Sequence, residues 1–266
     1  MKFAKPPLVE LIAELRWGTP AVAIPVGGQF VPVIGGITNR HEEFFMRFGA
    51  KVAGDGFDRF ERIVPAGFPL MPFQAVYRYR YGAPDKGTAL YQLGPGLFTA
   101  NITPPYDNWE KFRPVVEKGV VYLLECRAKE DEATPFGSVS LRYIDAFRPE
   151  LTGGVPTINF LRDVLGFSVT PPVVILELAG PDAIATPAVQ FQVALPNKLR
   201  IELQAGDGQV NGERSVILNT VVATTEAVNP AVESAMAAFD AAHTVIRSAF
   251  LGMTGKIANL MQPVAE

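Results

Sequence analysis

Residues 76–102 read VYRYRYGAPDKGTALYQLGPGLFTANI, and this stretch decides the fold class. From Val76 to Tyr81, three tyrosines alternate with Arg78 and Arg80, the period of two of a half-buried strand. Aromatic residues also favour strands. Pro84-Asp85-Lys86-Gly87 has the composition of a turn, so Ala89 to Leu93 is expected to pair back as a hairpin. Gly94-Pro95-Gly96 interrupts the run, and Leu97 to Ile102 resumes it. An antiparallel sheet is the reading that accommodates these segments.

Towards the N-terminus, Leu11, Ala13, Leu15 and Trp17 alternate with Glu10, Glu14 and Arg16, which predicts a strand over Leu8 to Trp17. Pro6-Pro7 and Gly18 set its limits. The uncharged stretch from Trp17 to Asn39 is long enough to span a bilayer. Pro20, Pro25, Pro32 and two Gly-Gly pairs would break such a helix, so it reads as a loop, with a short extended piece at Phe30 to Ile34. Asn39 and Glu42 have the spacing of a capping box, and Phe44, Phe45, Phe48 and Val52 then recur at helical spacing up to Gly54.

Towards the C-terminus, a second helix is read from Asp107 as its cap, with Trp109, Phe112, Val116 and Leu123 on one face and a kink at Pro114. The charged stretch Arg127 to Glu132, closing at Thr134-Pro135, is the expected boundary between an N-terminal half (1–133) and a C-terminal half (134–266). Beyond it the pattern predicts strands at Val139 to Phe147, Val173 to Leu178, Val189 to Ala194, Leu199 to Gln204 and Val216 to Ala223, with a short helix at Ile158 to Leu165 and, between the last two strands, a loop at Gly206-Asp207-Gly208 with Asn211-Gly212 shortly after. Each half thus runs strand, helix, strands, helix. A divergent duplication, two unrelated halves and one continuous domain all remain open.

The last element is the clearest. Asn229 caps it, Pro230 takes the first position, and Val232, Met236, Phe239, His243, Ile246, Phe250, Met253, Ile257 and Leu260 form an apolar seam. Ala231, Ala235, Ala238, Ala242 and Ala249 widen that seam into the stripe of a core helix. The expected fold is therefore α+β: antiparallel sheet packed by helices, with a long C-terminal helix lying across it.

The chain has 266 residues, of which 48% are hydrophobic and 19% charged, enough for a full core. A net charge of −3 gives no electrostatic reason to expect nucleic-acid binding. Cys126 stands alone and cannot form an internal disulfide, which fits a reducing, cytoplasmic compartment. Glu10 and Glu14 interrupt what would have to be a signal peptide's apolar stretch.

Catalytic parts are scarce. The two histidines, His41 and His243, and one cysteine leave metal and nucleophile schemes short of ligands, and neither a zinc motif, a nucleophile elbow nor a Walker loop is present. No metal or cofactor is expected. Asp207 to Gly212 begins like a calcium loop, but Leu218 stands where a bidentate carboxylate is needed, so a hairpin turn is read. Glu10 and Glu14 would lie about 13 Å apart along a strand, too far for the usual glycosidase pair. Cys126 reads as a small core residue. Arg78 and Arg80, joined by Arg142 from another strand, are candidate contacts to a phosphate or carboxylate; the alternative is the polar side of a sheet, paired with glutamates. His243 is either a satisfied core histidine or a polar handle in a pocket between helix and sheet.

Several short motifs occur together in one order. They are Pro6-Pro7-Leu8-Val9-Glu10 with Glu14 to Trp17, Tyr91 to Gly94 running to Asn101, Tyr106 with Trp109 and Phe112, Leu141 to Ile144, and the His243 to Phe250 helix. In this the chain resembles a sporadically distributed bacterial family of uncharacterised proteins of about this length. Asp145 departs from the pattern, which has an asparagine there, and the Pro20 to Ile37 loop is richer in proline and glycine. The resemblance implies a fold and no reaction. Its patchy distribution, shared with mobile, defence-associated and toxin–antitoxin genes, implies a non-catalytic protein that binds a protein partner, as an antitoxin or accessory defence component. The alternative is a small apolar or amphipathic ligand held in a pocket under the C-terminal helix, by a sensor or an unusual enzyme. Low charge and a wide apolar helix also suggest a homodimer, with a monomer that buries the helix internally as the alternative.

Overall fold

In a computed structural model of the chain, residues 2–18, 23–26, 29–32, 39–68, 70–127, 131–180 and 185–264 are described. The elements run β1 (Lys2–Phe3), β2 (Leu8–Trp17), β3 (Ala23–Val26), β4 (Gln29–Pro32), α1 (Asn39–Ala53), β5 (Arg59–Arg62), β6 (Tyr77–Arg80), β7 (Leu90–Gly94), β8 (Leu97–Ile102) and α2 (Trp109–Cys126). They continue with β9 (Phe136–Phe147), α3 (Pro149–Thr152), α4 (Thr157–Asp163), α5 (Val173–Ala179), β10 (Ala188–Ala194), β11 (Leu199–Val210), β12 (Glu213–Thr224), α6 (Val232–Thr254) and β13 (Pro263–Val264).

Nine strands form one antiparallel sheet in the order β10-β11-β12-β9-β2-β8-β7-β6-β5, and α6 packs over it. The α+β expectation holds. Outward from β2 the neighbours are β8, β7, β6 and β5; outward from β9 they are β12, β11 and β10. In both halves the first strand is innermost and the following strands return towards it, the connectivity of two similar strand-helix-strands-helix halves. The extended piece expected at Phe30 to Ile34 is met by β4, which pairs with β3; Ile34 lies outside the described residues.

By contact density the chain forms two compact units, one of Leu11–Leu141 and Ala223–Ala242, the other of Met1–Glu10, Arg142–Val222 and His243–Glu266. In the first, the buried face of the strands meets aromatic side chains of α1. Phe48 contacts Tyr79, Tyr91 and Phe98 at centroid distances of 5.3, 5.8 and 6.0 Å. The Tyr79 hydroxyl donates to the Phe45 carbonyl at 2.8 Å, so a deeply buried phenol keeps a partner. The buried face of α2 includes Trp109, Phe112, Val116, Val120 and Leu123. Its approach depends on Gly119, where a Cβ would stand 2.5 Å from the Tyr91 ring and 2.7 Å from the Phe98 ring. The cap of α2 is Asn108, which accepts from Lys111 N at 3.0 Å, one residue later than expected; Asp107 pairs with the Lys111 ammonium instead. Pro114 lies inside the helix. The Glu42 carboxylate accepts from Arg62 Nη1 at 2.5 Å and from the Tyr77 hydroxyl at 3.0 Å, while the Asn39 side chain of the expected capping box lies outside the described residues.

The second unit has its own core, in which Phe147, Phe160, Leu161, Leu165, Leu218 and Met261 are buried together. Two sequence expectations are corrected here. Val173 to Leu178 is the helix α5 rather than a strand; Pro172 opens it, Gly180 ends it, and it buries no residue. Gly206-Asp207-Gly208 is not a loop but part of β11, and the hairpin turn falls at Asn211-Gly212, with φ of 55° and 82°, as a two-residue type I′ turn requires. Gly208 belongs in the strand because a Cβ there would meet Ile217 at 2.3 Å. The α6 seam stops short of its expected end: the helix gives way at Gly255 to a 3-10 turn, and Leu260 is 50% exposed.

Candidate functional site

In the first unit the strands turn their aromatic face to α1 and α2 and carry polar side chains on the other. Register places Glu61, Arg78, Gln92, Thr99 and Glu14 opposite one another across β5, β6, β7, β8 and β2. Because Tyr77 and Tyr79 face α1, alternation turns Arg78 and Arg80 to the opposite side. There Arg80 Nη2 donates to Glu61 Oε2 at 2.8 Å, and Arg78 Nη1 lies 3.8 Å from the same oxygen. With its amide oxygen turned towards Arg78, Gln92 accepts from Nε and Nη2 at 3.1 and 3.2 Å. Glu14 pairs with Arg16 at 2.7 Å. The two arginines are thus brought together and share a carboxylate, so this surface is of mixed sign.

The loop between β5 and β6 borders this row. Ile63 N donates to Val76 O, and Phe73 N donates to Pro95 O at 2.9 Å. Gly94 lets the loop cross, since a Cβ there would stand 1.7 Å from the Gln74 carbonyl oxygen. Arg16 lies over the Phe73 ring at 5.5 Å. Phe68 and Met71 on the same loop remain 62% and 49% exposed.

Arg142 is not part of this cluster. It lies on β9, with β2, β8 and β7 between that strand and β6 in the sheet order, and its Nε donates to Asn219 Oδ1 at 2.7 Å. From Asn219 a chain of amide and carboxylate contacts continues through Gln204 and Glu202 to Gln190. His243 takes the opposite side of β9: its Nδ1 and the Tyr143 hydroxyl are 3.0 Å apart. The polar partner expected for His243 is present, while the ring is only partly buried.

Two charged groups outside the candidate site are buried, Asp145 and Arg127. Asp145, 3% exposed, shares a face of β9 with Tyr143 and Phe147, and burial alone pushes its carboxyl up to about 7. Arg127, 4% exposed, is sandwiched between Trp17 and Phe136, at 5.4 and 5.5 Å from the ring centroids. Its Nη2 donates to the Thr134 carbonyl, and burial lowers its pKa. Cys126 is buried in the core, where desolvation raises its thiol pKa.

Among the described residues no three His, Cys, Asp or Glu side chains gather into a metal-binding group, and no helix is long and apolar enough to cross a membrane. No family description matches the chain, no curated protein is similar to it, and no solved structure matches it.

Proposed function

We propose that this protein is a non-catalytic binding protein, and that it takes a protein partner on the helix-free face at β5, β6 and the loop between them. The observation that carries the reading is the Arg78–Glu61–Arg80 cluster beside a loop with Phe68 and Met71 standing exposed. Arginine, aromatic residues and methionine are the side chains enriched at protein interfaces. Sharing of Glu61 by both arginines favours a mixed-charge protein surface over a phosphate backbone. An antitoxin or an accessory defence component is the role that the family resemblance implies for such a protein.

Capture from the native host tests this. Tagged protein should retain one partner in near-stoichiometric amount, and Arg80→Glu with Phe68→Ser should lose it while keeping the thermal transition. Retention of the same partner by that double variant contradicts the reading. A second reading, a small-molecule site, has one observation in its favour: an open cleft of about 380 Å³ between α4 and α5, lined by Ile158, Arg162, Val169 and Leu176. That cleft lies by the α4 surface and not beneath α6.

A further inference from the structure

The two ends of the nine-stranded sheet are built differently. At one end, β5 reads Arg-Phe-Glu-Arg, four residues with three charges, the short charged edge by which sheets avoid pairing with other chains. At the other end, β10 reads Ala-Val-Gln-Phe-Gln-Val-Ala, seven residues without charge or proline. Among the described residues nothing pairs with its outer side.

Register fixes which backbone groups that side presents. β10 pairs β11 with Ala194 opposite Arg200 and Val193 opposite Ile201, and beyond them Leu195 N donates to Leu199 O at 2.8 Å. Leu195 is therefore in a hydrogen-bonded pair, and by alternation so are Val193, Phe191 and Val189. The N–H and C=O groups of Ala188, Gln190, Gln192 and Ala194 point outwards.

The strand is also a palindrome centred on Phe191. We infer that β10 is a homodimerisation edge, which pairs antiparallel with β10 of a second copy about a twofold axis at Phe191. In that register Gln190 faces Gln192 of the copy and Ala188 faces Ala194. These are the residues with outward backbone groups, so four pairs supply about eight hydrogen bonds. Phe191 then meets Phe191, flanked by Val189–Val193 pairs in the narrow, non-hydrogen-bonded positions, where side chains approach most closely. Every residue meets its own kind, as an isologous interface favours.

The exposed area suits this occupant. Phe191 and Val193 are 45% and 50% exposed, and Val173, Val174, Ile175 and Leu178 on α5 are 52% to 81% exposed. The Phe191 ring stacks on Phe167 at 5.8 Å, and Leu176 of α5 lines a cleft with α4. Together these residues leave roughly 600 Å² exposed, against about 800 Å² per partner in a standard interface. The inference is independent of the partner-binding reading above.

The test uses the full chain, light scattering and engineered thiols. The wild type should be a dimer at micromolar concentration. Gln192→Pro removes an outward N–H without touching the β10–β11 bonds and should give a folded monomer with a cooperative thermal transition, lowered only by the loss of dimerisation. Gln190→Lys with Gln192→Lys, two exposed positions, sets like charges face to face across the axis and should do the same. Phe191→Cys should form an intermolecular disulfide on mild oxidation, since facing Cα atoms at such a pair are about 4.5 Å apart, within disulfide reach. Two Val193→Cys thiols would be about 14 Å apart along the strand and should not link. The native Cys126 is buried and does not compete. A wild type that stays monomeric up to millimolar concentration overturns the inference. So does a dimer that survives the Pro and Lys variants, or Val193→Cys linking as readily as Phe191→Cys.

Discussion

Replacing Asp145 by asparagine should stabilise the protein, and increasingly so as pH rises. The carboxyl lies on the β9 face that also carries Tyr143, hydrogen-bonded to His243, and Phe147, a core residue. Burial pushes it from an ordinary 3.8 up to about 7. The folded protein therefore holds this proton where the unfolded chain releases it, and stability is greatest below pH 4 with respect to this group. It falls as pH rises through the folded value near 7 and then levels off. The gap amounts to about 4 kcal/mol, at about 1.4 kcal/mol for each tenfold change in proton affinity. Asparagine matches the protonated carboxyl in shape and carries no ionisation cost. Urea denaturation of both proteins at pH 4.5 and pH 8 measures the difference directly. Asp55 and Asp163, whose pKa values are lowered, act in the opposite direction but are common to both proteins and cancel. Asp145→Asn should be worth about 1 kcal/mol at pH 4.5 and about 4 kcal/mol at pH 8. Equal differences at the two pH values would refute the reasoning.

Two further substitutions test the packing and the seam histidine. Gly119→Ala should destabilise by about 2 kcal/mol and lower Tm by several degrees, although alanine favours helix by about 1 kcal/mol, because the rings it meets cannot retreat. Tyr91 is held by its bond to the Val115 carbonyl at 2.7 Å and Phe98 is fully buried; an unchanged or raised Tm would contradict this. His243→Leu should cost about 1 kcal/mol and leave partner capture intact, because the Tyr143 hydroxyl it deserts is half-buried and can turn to water. Loss of capture with an intact fold would return His243 to a binding role.

What was legible in the sequence followed periodicity backed by burial. The strand at Leu8–Trp17 and the apolar faces of α1, α2 and α6 were readable because one side of each meets a core. The helix α5 was not: Val173 to Leu178 is β-branched and apolar enough to resemble a strand, and with no buried face it has no period to betray it. Its flanking Pro172 and Gly180 were the available signal. The Gly206 to Gly208 run looked like a loop because glycine marks both turns and close approaches, and only the Ile217 side chain tells them apart. Of the site, Arg78 and Arg80 were visible from alternation, but their carboxylate was not. Glu61 lies on a four-residue strand too short to show a pattern. Arg127 and Asp145 are buried by tertiary packing, which no local pattern reports.

The central claim is that a protein partner docks on the helix-free face at β5 and β6. Site-specific photo-crosslinking in the native host tests it most directly, with the probe at Glu61, 56% exposed on that face, and at Glu117, 43% exposed on α2. The account predicts one discrete crosslinked partner from position 61 and none from position 117. The same partner crosslinking from 117 but not from 61 would contradict it.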